Sequence, residues 1–63
     1  MNNYLSTEIE IRNEILQKVK EWTIIRIASI ATRCVDEAMF FRVLNELASN
    51  GLVCKDDNFI FLP

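Results

Sequence analysis

The sequence predicts one small domain that is mostly α-helical and ends in a β-hairpin. Apolar residues at helical spacing follow capping residues near positions 8 and 36, which indicates two substantial helices. After Gly51 the pattern changes to two short apolar runs, 52–55 and 59–62, separated by Asp56-Asp57-Asn58. Asp and Asn favour tight turns because their side chains bond to their own backbone, so a hairpin is expected here.

The length and composition of the chain allow one hydrophobic core. The chain has 63 residues, 51% of them hydrophobic, with a single Gly and a single Pro. This is the composition of a folded domain, and residues 1–63 are expected to form it. Residues 1–6 are expected to be a flexible arm, although Tyr4 and Leu5 could pack against the body. So short a chain cannot bury all its apolar side chains, which predicts a homodimer.

The first helix is expected near residues 8–21. Thr7 and Glu10 have the spacing of a capping box, in which each side chain satisfies a backbone amide of the other residue. Glu8 and Arg12 are four residues apart, in the orientation that favours an ion pair along the helix. The stripe expected to face the core consists of Ile11, Ile15, Val19 and Trp22.

A short strand and a second helix are expected next. Residues 22–24 interrupt the helical pattern with β-favouring side chains. Helical spacing then returns over 25–31, and we expect Ile24, Ile27, Ile30 and Ala31 to point inward. Arg26 and Arg33 are seven residues apart, which would place both on one exposed edge of this helix.

The third helix is predicted over residues 36–50. Asp36 is a good N-cap, and Gly51 follows where a left-handed residue commonly ends a helix. The core stripe of this helix consists of Phe40, Val43, Leu44 and Leu47. The opposite side carries Ala38, Arg42, Asn45 and Ser49, with Phe41 on its border.

Charge and residue content exclude several classes of function. The net charge is −2, and residues 34–63 hold two basic and five acidic groups, so the chain has no general basic surface. Cys34 and Cys54 have no histidine to join them, which argues against a metal site and indicates free thiols. There is no phosphate-binding glycine loop and no nucleophile beside a base, so we expect neither an enzyme nor a cofactor. A signal peptide and a membrane span are also lacking, which predicts a cytoplasmic protein without a membrane partner.

Several residues resemble the winged helix-turn-helix family. Thr23-Ile24 followed by Ile27-Ala28 is similar to the stretch leading into the second helix of that family. Phe40, Leu44 and Leu47 followed by Gly51-Leu52-Val53 resemble the end of its recognition helix and the step into its wing. The resemblance covers roughly residues 8–62 and implies three helices with a C-terminal wing of two or three strands. Small prokaryotic or phage regulators are the most similar type.

The resemblance also implies which residues would contact double-stranded DNA. The recognition helix, 36–50, would enter the major groove, and its base-facing candidates are Ala38, Phe41, Arg42 and Asn45. Arg26, Arg33 and, on the wing, Lys55 would contact phosphates. The acidic wing tip, Asp56-Asp57, departs from the basic residues that the family commonly has there.

Two functions therefore remain open, each with a different partner. The first is a small DNA-binding transcriptional regulator. The second is an interaction module that recruits or blocks a protein partner through Phe41 and Met39 without binding DNA. For either function, the homodimer contact is expected on exposed apolar residues of the first helix region or of the last strand, namely Leu5, Ile9, Leu16, Ile60 and Leu62.

Overall fold

A computed structural model describes residues 4–63 and contains three helices and one three-stranded antiparallel sheet. The elements are α1 (Glu8–Trp22), β1 (Ile24–Arg26), α2 (Ile27–Ala31), α3 (Glu37–Ser49), β2 (Cys54–Lys55) and β3 (Phe59–Phe61). The predicted class, mostly helical with a small sheet, is confirmed. Every helix boundary lies within two residues of its predicted position.

The core lies where α1 and α3 pack together against α2 and the inner side of the sheet. All four residues of the predicted α3 stripe are buried, as are Ile11, Ile15 and Val19 of α1. Trp22 was predicted to continue the α1 stripe, but 67% of it is exposed. It borders an open cavity at the end of α1, so the stripe stops one turn early. The complete core consists of Leu5, Ile11, Ile15, Val19, Ile30, Ala31, Phe40, Val43, Leu44, Leu47, Val53 and Ile60.

The capping box of α1 forms as its spacing predicts. The backbone N–H of Glu10 donates to Thr7 Oγ1 at 3.2 Å, and Glu10 Oε1 accepts from the backbone N–H of Thr7 at 3.0 Å. The helix ends at Thr23, which has φ 69° and ψ −39° and donates its N–H to the carbonyl of Val19. Thr23 therefore redirects the chain from α1 into β1 with a backbone conformation that L-residues rarely adopt.

Strand β1 joins the hairpin through β3, so the strand order is β1–β3–β2. Ile25 pairs with Ile60 of β3, and Ile60 is fully buried. Because side chains alternate along a strand, Ile24 and Arg26 lie on the opposite side from Ile25. The prediction that Ile24 points inward is wrong: 53% of it is exposed, because residues 24–26 form a strand and not the first turn of α2.

The segment before α1 is anchored to the body at Leu5. The backbone N–H of Leu5 donates to the carbonyl of Arg33 at 2.8 Å, and its carbonyl accepts from Val35 at 3.0 Å. The Leu5 side chain is part of the core. The predicted flexible arm thus gives way to an anchored segment at Leu5, and residues 1–3 lie outside the described part of the chain.

Helix α3 ends in a Schellman motif. Gly51 has φ 75° and donates its N–H to the carbonyl of Ala48 at 3.1 Å, while Leu52 donates to the carbonyl of Leu47 at 3.0 Å. These two bonds satisfy carbonyls that the helix leaves without partners, and the positive φ favours glycine at this position. The turn directs Val53 into the core and starts the β2–β3 hairpin.

Candidate nucleic-acid interface

The outer side of α3 carries the residues that the sequence analysis proposes for contact with DNA bases or with a protein partner. Asp36 fixes the start of the helix, since its carboxylate accepts from the N–H of Met39 at 3.2 Å. With one side of the helix buried, Ala38, Asn45 and Ser49 lie within roughly 40° of one another on the exposed side. They form a strip of small, uncharged side chains along the middle of this surface.

Phe41 lies on the border of that strip. Its ring contacts the ring of buried Phe40 edge to face, with centroids 5.0 Å apart and an interplanar angle of 79°. Despite this contact, 40% of the residue stays exposed. Phe41 therefore offers an apolar contact at the edge of the α3 surface.

Arg42 does not project freely from the middle of the exposed side. Its Nη2 lies 2.8 Å from Glu8 Oε2 at the start of α1, and 60% of the arginine side chain remains exposed. One turn later, Glu46 pairs with Arg12 of α1 at 3.7 Å. Two ion pairs thus connect α3 to α1, one with its arginine on α3 and the other with its arginine on α1. Together they neutralise the flank of the α3 surface.

Arg26 and Arg33 do not share a helix edge as predicted. Arg26 belongs to β1, where its guanidinium carbon lies 5.8 Å from the centroid of the Phe59 ring. Arg33 follows α2, and its Nη1 lies 2.6 Å from Glu14 Oε2, whose side chain is only 16% exposed. The prediction fails because residues 24–26 form β1 and α2 ends at Ala31, so Arg26 lies in a strand and Arg33 lies beyond the end of the helix.

The hairpin presents one cation followed by a negatively charged tip. Lys55 is exposed at the end of β2. Next to it, Asp56 Oδ1 accepts from the backbone N–H groups of Asn58 at 2.8 Å and Phe59 at 2.7 Å. These two bonds lower the pKa of the Asp56 carboxyl below its usual value, and the bond from Asn58 contributes most. The tip therefore keeps its negative charge, which phosphates would repel.

The residues predicted for a dimer contact separate into two groups. Leu5 and Ile60 are buried in the core of the single chain, because the N-terminal segment and β3 both pack inward. Their side chains are therefore not on the surface, contrary to what the predicted contact requires. Ile9 and Leu62 are exposed and Leu16 is partly buried, so these three side chains are the ones that a second copy could still reach.

A cavity opens on another side of the molecule, between the end of α1, β1 and α2. Its volume is about 330 Å³. The residues lining it are Lys18, Trp22, Ile24, Ile25, Arg26, Ser29, Ile30 and Arg33. It brings the two arginines predicted to contact phosphates together with Trp22 and Lys18, which no sequence pattern connects with them.

The sequence reasoning missed two acidic residues that control the candidate surface. The sequence predicts ion pairs of Glu8 with Arg12 and of Glu14 with Lys18 along α1, yet Glu8 holds Arg42 and Glu14 holds Arg33. No local pattern could reveal these pairs, since Glu8 and Arg42 are 34 residues apart along the chain. The predicted Glu8–Arg12 pair is replaced by pairs to other helices.

The two thiols lie at the edge of the core. Cys34 and Cys54 are both free and partly buried. Burial raises the pKa of the Cys34 thiol, and the charge of Arg33 offsets part of that rise, so its reactive thiolate is depleted at neutral pH. Within residues 4–63 no group of three or more potential ligands is placed to hold a metal ion. In the same stretch, no helix combines the length and apolar character needed to cross a bilayer.

Comparisons with protein-family models, with curated proteins and with solved structures gave no significant match to this chain.

Proposed function

We propose that the protein is a small winged-helix DNA-binding regulator that inserts α3 into the major groove. The observation that carries this proposal is the order of elements combined with the strand order β1–β3–β2. This layout is compatible with a winged helix, in which α3 is the recognition helix and the β2–β3 hairpin is the wing. One whole side of α3 remains exposed for a groove.

The shape of the α3 surface suits a major groove. A helix with its side chains is about 10–12 Å across, close to the groove width of about 12 Å, and small side chains on its outer side let the helix approach the base edges closely. Ala38 and Ser49 supply such small side chains. Asn45 lies between them and has the donor and acceptor needed for a bidentate contact with adenine.

Arg42 can serve this surface although it is paired with Glu8. Both side chains are well exposed, and exposed ion pairs contribute only about 0–1 kcal/mol. A bidentate contact between arginine and guanine contributes about 1–3 kcal/mol of discrimination, so exchanging Glu8 for a base is favourable. Arg33 differs, because its partner Glu14 is largely buried. If Arg33 turned away to contact DNA, the buried Glu14 carboxylate would lose this cation, which is costly. We therefore assign base contact to Arg42 and a structural role to Arg33.

A second candidate, the protein-interaction module, is favoured by the charge balance of the same surface. Each of the pairs Glu8–Arg42 and Arg12–Glu46 is neutral, so the flank of α3 has no net charge, and the hairpin tip is acidic. Strong DNA binders neutralise on the order of 6–10 phosphates, more than the exposed cations of one chain supply. In this candidate the exposed part of the Phe41 ring is the central contact with the partner.

Selection from a pool of random DNA duplexes tests the first candidate directly. The protein should retain duplexes at about 50 mM salt, and the retained pool should converge on a sequence. With that duplex, Arg42→Ala should weaken binding by about 5- to 150-fold, whereas Glu8→Gln should strengthen it by releasing Arg42 from its competitor. Lys20→Gln is the matched control, since Lys20 is an exposed cation away from α3.

The two candidates separate clearly in this experiment. If the intact protein retains no duplex at low salt, DNA binding is refuted. The interaction-module candidate would then be tested with Phe41→Ala, which should abolish binding to a partner, against Ser49→Ala, which should leave it unchanged.

A further inference from the structure

The cavity between α1, β1 and α2 has the size of a small-molecule site. Its volume of about 330 Å³ lies at the lower end of the range for ligand pockets, which run from about 300 to 1,000 Å³. Three different elements form its walls, so its shape depends on the folded domain and not on one mobile loop. The α3 surface does not contribute to it.

The apolar part of the cavity is unusually open to solvent. Trp22 and Ile24 at its edge are 67% and 53% exposed, and partly buried Ile25 and buried Ile30 lie deeper inside. Two large exposed apolar side chains in the lining of one cavity gain free energy when a ligand removes them from water. This part of the cavity therefore fits an aromatic or alkyl group.

The charged part of the cavity has one sign. Among the described residues, Lys18, Arg26 and Arg33 line it and no carboxylate does, although the chain as a whole has a net charge of −2. Behind the lining, Glu14 pairs with Arg33 at 2.6 Å, and Glu21 lies 3.9 Å from Lys18. Among the residues that the structure describes, no carboxylate pairs with Arg26, which leaves one positive charge of the lining uncompensated.

This charge pattern decides between possible occupants. A second copy that docked through the same surface would place like charges opposite each other, which is unfavourable. A group with two negative charges exceeds the single uncompensated charge, whereas a monoanion matches it. A carboxylate also matches the planar donors of the Arg26 guanidinium.

We propose that this cavity binds a small organic carboxylate that has one negative charge and an aromatic or alkyl body. The body lies against Trp22 and Ile24, and the carboxylate accepts from Arg26 with Lys18 beside it. This site lies on a different surface from the base-facing side of α3, although it includes Arg26, which the resemblance places at a DNA phosphate.

Trp22 makes the proposal directly measurable, because it is the one tryptophan of the chain. The purified full chain is titrated with phenylbutyrate, with the uncharged phenylbutanol and with the cationic phenylbutylamine, while Trp22 emission is recorded. Phenylbutyrate should give a saturable change, and the alcohol should bind about tenfold more weakly or worse, since it lacks the charge-assisted bonds. The amine should give no saturable change. Equal affinity for the acid and the alcohol overturns the proposal, and so does the absence of saturation with all three.

Matched variants locate the site within the cavity. Arg26→Gln should weaken phenylbutyrate binding by about tenfold or more, and Lys18→Gln should weaken it by a smaller factor. Lys20→Gln should leave it unchanged, because Lys20 is on the same helix but outside the lining. Circular dichroism checks that each variant is folded. If Arg26→Gln unfolds the protein through its lost contact with Phe59, Lys18→Gln decides alone, and unchanged affinity in that variant refutes the assigned site.

Discussion

Replacing Thr23 by glycine should make this protein more stable. Thr23 has φ 69° and ψ −39°, outside the regions open to L-residues, and β-branched side chains tolerate positive φ least of all. Its side chain is exposed, so the substitution removes no core packing. Its backbone N–H and carbonyl, which bond to Val19 and Leu62, remain available in a glycine.

The expected gain follows from two opposing terms. A non-glycine residue held in such a conformation costs about 1–3 kcal/mol in the folded state. Glycine enlarges the conformational freedom of the unfolded chain, which opposes the gain by about 0.4–1 kcal/mol. The net stabilisation is therefore about 1 kcal/mol, which corresponds to an increase of about 4–8 °C in Tm for a domain of this size.

Urea denaturation followed by circular dichroism measures this gain, with Thr23→Ala as the matched control. Alanine keeps the Cβ that causes the strain, so its free energy of unfolding should stay within about 0.5 kcal/mol of the original protein. A glycine variant that is less stable than the alanine variant would show that Thr23 does not carry the strain assigned to it here.

Three further predictions concern the core, the hairpin and self-association. Leu44→Ala should cost about 2–5 kcal/mol of unfolding free energy, because Leu44 is fully buried, and a loss below about 1 kcal/mol in urea denaturation would contradict the packing. The lowered pKa of Asp56 means that its contribution to stability is present above the unfolded-state pKa and is lost as pH falls through the folded-state pKa. Asp56→Asn keeps an acceptor oxygen for the turn but does not titrate, so its Tm below about pH 4 should depend less on pH than the Tm of the original protein. An identical pH dependence in the two proteins would exclude this role of Asp56. Sedimentation at micromolar concentration should give a homodimer that Leu16→Glu dissociates, whereas a 7.4 kDa monomer refutes self-association and an unchanged dimer in the variant excludes the Leu16 contact.

The parts of the fold that depend on short-range patterns were predictable from the sequence. The capping box at Thr7, the N-cap at Asp36 and the glycine stop at Gly51 each involve residues within five positions of one another. The buried stripe of α3 follows in the same way from helical periodicity. The Asp56 turn is also local, because the carboxylate bonds amides two and three residues ahead.

The parts that sequence reasoning missed depend on which elements meet in space. Trp22 has the spacing of a core residue, but it lies at the end of α1 beside an open cavity. Ile24 fits a helical stripe until the pairing of β1 with β3 imposes a period of two. Leu5 is held by bonds to Arg33 and Val35, about thirty residues away, which no local pattern encodes.

The ion pairs of α1 with the later part of the domain limit which arginines are available to bind another molecule. Of its four arginines, three are held by carboxylates of a different element, so arginine here connects α1 to the later part of the domain. In the proposed DNA complex, a phosphate or base competes with those carboxylates, and the cost of releasing each arginine depends on the burial of its partner. Glu8 and Glu46 are exposed and release Arg42 and Arg12 at little cost, whereas the largely buried Glu14 holds Arg33 firmly. Burial therefore argues against a base contact by Arg33, and of the two arginines that are released easily only Arg42 lies on α3, so Arg42 is the one proposed to read a base.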